Sequence, residues 1–125
     1  MTKLPSVFRR IHLELAREPG HPSGDPHDRY TLIAPLDSAD RVDAAVWREH
    51  RDACRVVREH QGETVAGLLV REPGGSWRFR YGEGEAEDEE RAYRFGDEQL
   101  RPGEYVSISR EDGTHPYRVT AVAPL

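Results

Sequence analysis

The segment SWRFRYG constrains the fold more than any other part of the chain, because its side chains alternate in type. Trp77, Phe79 and Tyr81 occupy every second position, and Arg78 and Arg80 stand between them. Successive side chains of a β-strand point to opposite faces. We therefore predict a strand that buries three aromatic rings in a core and directs two guanidinium groups to solvent.

Similar patterns along the chain predict further strands. VFRRIHLELAR alternates apolar and polar residues, and YTLIAPL is largely apolar. TVAGLLVREPGGSWRFRYG is typical of a hairpin that turns at EPGGS, and the C-terminal PGEYVSISREDGTHPYRVTAVAPL of a second hairpin that turns at Asp112–Gly113. These patterns predict strands joined by short connections, as in an antiparallel sheet.

One stretch, DSADRVDAAVWREHRDACRVVREH, has helical spacing. We predict a helix from about residue 40 to 51, capped by Asp37 or Ser38, and then a strand from about 53 to 60. The alternative is a helix that continues through Cys54. Val56 and Val57 are β-branched and suit a strand, but they do not exclude a helix.

The predicted fold class is therefore mainly β, a β-rich α+β domain that spans residues 1–125. Its expected architecture is a small antiparallel β-barrel or a strongly bent sheet of five to seven strands with one helix. The chain length of 125 residues suits a single domain.

Charge and cysteine content argue against several classes of function. The chain has 18 basic and 23 acidic residues and a net charge of −5, whereas nucleic-acid binders usually carry a basic excess. Six of the acids lie in the run at positions 83–90, which we expect to remain solvated. Cys54 is the one cysteine, so a disulfide and a multi-cysteine metal site are excluded.

The chain also lacks the features of a membrane or secreted protein. No apolar run is long enough for a membrane helix, and the N-terminus has no signal-peptide core. A cytoplasmic location without membrane contact is expected. Arg accounts for 17 of the 18 basic residues, a composition typical of a GC-rich genome.

Four blocks of the sequence resemble a family of small proteobacterial proteins that has no established function. The blocks are APLD, VWREHRDACRVVR, GLLVREPGGSWRFRY and YRFGDEQLRPGEYVSI. The resemblance implies a single β-rich domain of this length. It implies no activity and no cofactor.

The loop GHPSGDPHDRY contains candidate metal ligands at His21, Asp25, His27 and Asp28. Two histidines and a carboxylate suit Zn²⁺ or Fe²⁺, and the exposed His12 and Glu14 of the preceding strand are further candidates. Such a site would make the protein a metal-dependent enzyme. The spacing matches no known ligand motif, so we favour a polar loop stiffened by prolines, in which the aspartates accept hydrogen bonds from turn backbone.

Two further sets of side chains offer possible sites. Cys54 with His50 or His60 suggests a thiolate–imidazole pair, although a buried, unreactive cysteine is the favoured interpretation.

Arg71, Arg78 and Arg80 form the second set, and we expect them to share one face of the central hairpin if its two arms pair as predicted. Guanidinium groups on such a face suit an anionic ligand or an acidic partner, and pairing with neighbouring acids is the alternative. Our leading hypothesis is a non-catalytic binding module that contacts a protein partner or a small anionic ligand through this face, without a cofactor. The metal-dependent enzyme is the alternative.

Overall fold

A computed structural model describes residues 4–81, 94–95, 98–110 and 113–125. Eight strands pair in sequence order, each antiparallel to the next, and the last pairs with the first, so the sheet closes into a barrel. The strands are β1 (Phe8–Leu15), β2 (Asp25–Pro35), β3 (Arg55–His60), β4 (Glu63–Arg71), β5 (Trp77–Tyr81), β6 (Arg94–Phe95), β7 (Tyr105–Arg110) and β8 (Gly113–Pro124).

This architecture confirms the predicted mainly β barrel with one helix. Seven of these strands match the upper limit of the predicted five to seven. The eighth is the two-residue β6, which pairs with both β5 and β7 and so closes the sheet. The acidic run at 83–90 and the first residue of the predicted turn at Asp112 lie outside the described residues. No helix in the described part of the chain is both long and apolar enough to span a membrane.

The alternation predicted for β5 is confirmed where the structure describes it. Trp77 and Phe79 are fully buried, Arg78 is half-buried and Arg80 is exposed; the side chain of Tyr81 lies outside the described part. Burying a large aromatic side chain contributes about 2–3 kcal/mol to folding. The same inward positions of the other strands fill the barrel with Ile11, Leu13, Tyr30, Leu32, Val56, Leu69, Val106, Ile108, Tyr117 and Val119.

The helix is shorter than predicted. Helix α1 (Ala44–Glu49) begins after Asp43, whose carboxylate accepts hydrogen bonds from the backbone of Ala45 and Val46, and a 3-10 turn follows at 51–53. The predicted cap Asp37 instead closes a separate turn, since its carboxylate accepts the backbone N–H groups of Ala39 and Arg41. That turn delays the start of the helix.

Helix α1 covers one end of the barrel through Trp47. Its indole lies edge-on to that of Trp77, with ring centres 5.4 Å apart, and its Nε1 donates a hydrogen bond of 2.8 Å to the carbonyl of Leu69. The following strand, β3, begins at Arg55, close to the predicted position. The helix therefore does not continue through Cys54.

Strand β2 begins earlier than predicted and takes in the second half of the GHPSGDPHDRY segment. The pairing of β1 with β2 shifts between Glu14, opposite Arg29, and Leu15, opposite Asp25. A bulge of this kind leaves extra residues of one strand unpaired, so Pro26 is not required to supply a ladder N–H. The predicted loop is therefore confined to positions 16–24.

Candidate functional site

The predicted arginine face is wrong for one of its three members. Strands β4 and β5 pair with Arg71 directly opposite Trp77, and directly opposite residues of a sheet share a face. Arg71 therefore shares the side of the buried Trp77, and its guanidinium carbon lies 4.7 Å from the centre of a Trp77 ring. The outward Arg78 and Arg80 lie on the other face. The predicted turn EPGGS occupies residues 72–76 and is flanked by Arg71 and Trp77. Direct pairing of the two arms therefore already places Arg71 on the face of Trp77, which the prediction overlooked.

Arg78 and Arg80 differ in their surroundings. The Nε of Arg78 lies 3.4 Å from the carboxylate of Glu72, and the side chain of Arg78 is only 17% exposed. For Arg78, this contact is the pairing with a neighbouring acid that was the alternative to ligand binding. Arg80 is exposed on the outer surface, where it belongs to a different set of arginines.

That set is a line of register partners across the outer surface of β1 to β5. The line reads Arg10, Ile33, Arg55, Leu68 and Arg80, each directly opposite the next, and we call it the basic row. Its arginines are exposed and its aliphatic residues half-buried. Because neighbouring strands lie about 4.8 Å apart, successive arginine positions are roughly 9–10 Å apart.

Two cations of the basic row have no acidic partner among the described residues. Within the residues that the structure describes, neither Arg10 nor Arg55 has an ion pair or a side-chain hydrogen bond. The next outward positions beside them, His12 and Val57, carry no carboxylate. The basic row was missed in the sequence because only the register of five strands brings its members together.

A second outer row has a balanced charge. It reads Arg118, Glu14, Arg29 and Glu59 across β8, β1, β2 and β3. Arg29 donates hydrogen bonds of 3.1 and 3.2 Å to the carboxylate of Glu59, which raises the pKa of Arg29. The contrast shows that the positive charge of the basic row is local.

The candidate metal ligands do not converge. The Nδ1 of His21 lies 3.4 Å from the carboxylate of Glu18, whereas the carboxylate of Asp25 accepts the backbone N–H of His27 at 2.9 Å. His12 lies on the outer face beside Thr31. No three His, Cys, Asp or Glu side chains in the described ranges are arranged to hold a metal ion. The metal centre that was the alternative interpretation of this segment is therefore not assembled by these residues.

The cysteine forms no pair with an imidazole. Cys54 is fully buried, and its thiol donates to the backbone carbonyl of His50 at 3.4 Å. Burial raises the pKa of the Cys54 thiol to about 12. The thiol is therefore protonated at neutral pH and is not an activated nucleophile.

A polar cluster inside the barrel was also missed. Asp28, predicted to be an exposed turn residue, is 3% exposed. Its carboxylate accepts a hydrogen bond of 2.9 Å from the phenol of Tyr117 and lies 3.5 Å from Arg58 and 3.8 Å from His60. These residues lie at the end of the barrel opposite Trp47. Because these partners compensate the burial of the Asp28 carboxylate, the cluster is explained as a structural network.

No protein-family model, curated protein or solved structure matches this chain. The resemblance of its four sequence blocks to small proteobacterial proteins therefore stays a prediction.

Proposed function

We propose that the protein is a non-catalytic binding module that holds an acidic segment of a partner protein on the basic row. The proposal rests on guanidinium groups at every second strand, with Arg10 and Arg55 lacking an acidic partner among the described residues. A guanidinium fork binds a carboxylate through two parallel hydrogen bonds. Arg10 and Arg55 therefore supply two carboxylate sites in one line across the surface.

The aliphatic members of the row favour a protein segment over a small anion. Ile33 and Leu68 separate the arginines, so a single hydrated anion would contact one guanidinium and leave apolar surface uncovered. A segment that alternates acidic and apolar side chains contacts both kinds of residue. The row follows the convex outside of a closed barrel, which favours an extended segment that bends with the surface.

We further propose a cytoplasmic location in a bacterium. The single cysteine suits a reducing compartment, and the excess of Arg over Lys suits a GC-rich bacterial genome.

The experiment uses a fluorescein-labelled twelve-residue peptide with Glu at every second position and Val or Ala between, and measures anisotropy against protein concentration. The matched variants are Arg55→Gln and Arg29→Gln, which each remove one exposed guanidinium from adjacent strands. We expect Arg55→Gln to weaken binding about threefold, because the variant loses one exposed ion pair, which contributes ~0.7 kcal/mol to the binding free energy. Arg29→Gln should leave it unchanged, because Arg29 is bonded to Glu59.

Equal losses in the two variants would mean that only overall charge matters, and would contradict the assignment to the basic row. Inorganic phosphate and a single-stranded RNA serve as competitors. Displacement of the peptide by phosphate at equal concentration would favour a small anion, and tighter, salt-dependent binding of the RNA would favour nucleic acid. Either result would overturn the proposal.

A further inference from the structure

A groove of about 380 Å³ lies on the outer surface between the loop after β1 and the start of β7. Asp25 and Pro26, at the start of β2 next to this loop, line one side, Glu14 and Arg118 come from β1 and β8, and Tyr105 lines the β7 side. This volume lies within the range of about 300–1,000 Å³ that is usual for small-molecule sites. None of these residues belongs to the basic row.

The loop side of the groove is held in place before any ligand binds. Glu18 and His21 exchange backbone hydrogen bonds of 3.1 and 2.8 Å, and Gly24 donates a third to the carbonyl of His21. The carboxylate of Glu18 also contacts Nδ1 of His115 on β8 at 2.9 Å. A preformed wall lowers the entropic cost of binding.

An aromatic ring, a cation and a carboxylate stand side by side in this groove. Tyr105 lies opposite Arg118 in the pairing of β7 with β8, and Arg118 lies opposite Glu14 in the pairing of β8 with β1. The Tyr105 side chain is 61% exposed, which is high for an aromatic residue. Although Arg118 and Glu14 are neighbours of opposite charge, no nitrogen–oxygen distance within 4.0 Å joins them in the described part of the chain.

We propose that this groove binds a free α-amino acid with a planar or apolar side chain. Arg118 binds the α-carboxylate, Glu14 binds the α-ammonium group, and the side chain of the ligand covers the ring of Tyr105. The ionic side chains that line the groove are Glu14, Arg17, Asp25 and Arg118.

The balance of these charges supports a dipolar ligand. A groove with two carboxylates and two guanidinium groups favours neither a simple anion nor a simple cation. A ligand that carries both charges can pair with a carboxylate and a guanidinium group at the same time. The ammonium and carboxylate groups of an α-amino acid lie on one carbon atom, and the positions of Arg118 and Glu14 are neighbours on adjacent strands, about 5 Å apart.

The test is titration calorimetry with L-phenylalanine and with its two half-ligands, 3-phenylpropionate and phenethylamine. We expect each half-ligand to bind at least tenfold more weakly than phenylalanine, since each leaves one charge of the protein without a partner. Half-ligands that bind as tightly as phenylalanine would overturn the dipolar assignment. Absence of phenylalanine binding at millimolar concentration would overturn the site.

Variants locate the site independently of the half-ligands. Arg118→Gln, Glu14→Gln and Tyr105→Ala should each weaken phenylalanine binding at least fivefold, and Tyr105→Phe should preserve it because the ring remains. Arg55→Gln is the control from the basic row and should not affect phenylalanine. Unchanged binding in Arg118→Gln and Glu14→Gln would place the ligand elsewhere and refute the inference.

Discussion

The phenol of Tyr117 donates a hydrogen bond of 2.9 Å to the carboxylate of Asp28, although the two residues are 89 positions apart in the chain. Both side chains are buried inside the barrel. The bond joins β2 to β8 across the interior, behind β1. A buried carboxylate without donors is strongly unfavourable, so this bond stabilises the polar end of the barrel.

Replacing Tyr117 with Phe tests the contribution of this bond. The variant keeps the ring but removes the donor, and leaves the contacts of 3.5 and 3.8 Å that Asp28 makes with Arg58 and His60. We expect the free energy of unfolding, measured in urea, to fall by about 1–3 kcal/mol. Tyr105→Phe is the control and should change it by less than about 0.5 kcal/mol, because that side chain is exposed. Equal effects would show that the buried bond contributes nothing.

Removal of the Trp77 ring tests the central claim about β5. Trp77 is fully buried and packs edge-on against Trp47. Trp77→Ala should lower the free energy of unfolding by about 3–5 kcal/mol, because a large cavity replaces the indole. Val65→Ala is the comparison, since Val65 is 42% exposed. An unchanged melting temperature for Trp77→Ala would mean that the strand faces the other way.

A glycine in the loop after β1 is required by a close approach. Gly24 has a φ of +73°, and an added Cβ would overlap the carbonyl oxygen of Leu15. Gly20 has a φ of +92° with open space around it. Gly20→Ala should therefore lower the free energy of unfolding by about 1 kcal/mol, from backbone strain alone. Gly24→Ala should lower it by at least about 2 kcal/mol, because the overlap with Leu15 adds to the strain. Thermal denaturation of both variants measures the difference, and a Gly24→Ala protein no less stable than Gly20→Ala would contradict this account of the loop.

Much of the fold was predictable because the signals that specify it are local. The alternation around Trp77 and Phe79 depends only on the two-residue period of a strand, and the structure buries both. The boundaries were less predictable. The helix begins at Ala44 because Asp37 caps a different turn, although Asp37 and Asp43 are equally good caps in isolation.

The candidate surfaces were much harder to predict because they depend on register. Arg71 is the exception, because it and Trp77 flank the predicted turn at 72–76, so its place on the face of Trp77 could have been predicted from the sequence. Arg10 and Arg55 are 45 positions apart in numbering and share a surface only because β1, β2 and β3 pair as they do. The sequence around Asp28 is typical of a turn. Its place inside the barrel follows only from the bulge in β2 and from its hydrogen bond with Tyr117 of β8.

The buried thiol of Cys54 should lower the stability of the folded protein at alkaline pH. Its pKa is about 12 in the folded protein, against an ordinary value of 9.0, because burial disfavours the thiolate. Between these two values the unfolded chain has lost the proton while the folded chain keeps it. The unfolded state therefore binds fewer protons, and stability is lost as pH rises from about 9 towards about 12, by no more than about 1.4 kcal/mol per pH unit.

Urea denaturation of the natural protein and of Cys54→Ala at pH 8 and pH 10 measures this loss. The alanine variant is expected to be less stable at pH 8, because it leaves a small cavity, but to lose less stability between the two pH values. Subtracting the two losses removes the contribution of every other ionisable group, which is common to both proteins. Parallel losses would show that the Cys54 thiol titrates alike in the folded and unfolded chains, and would contradict its burial.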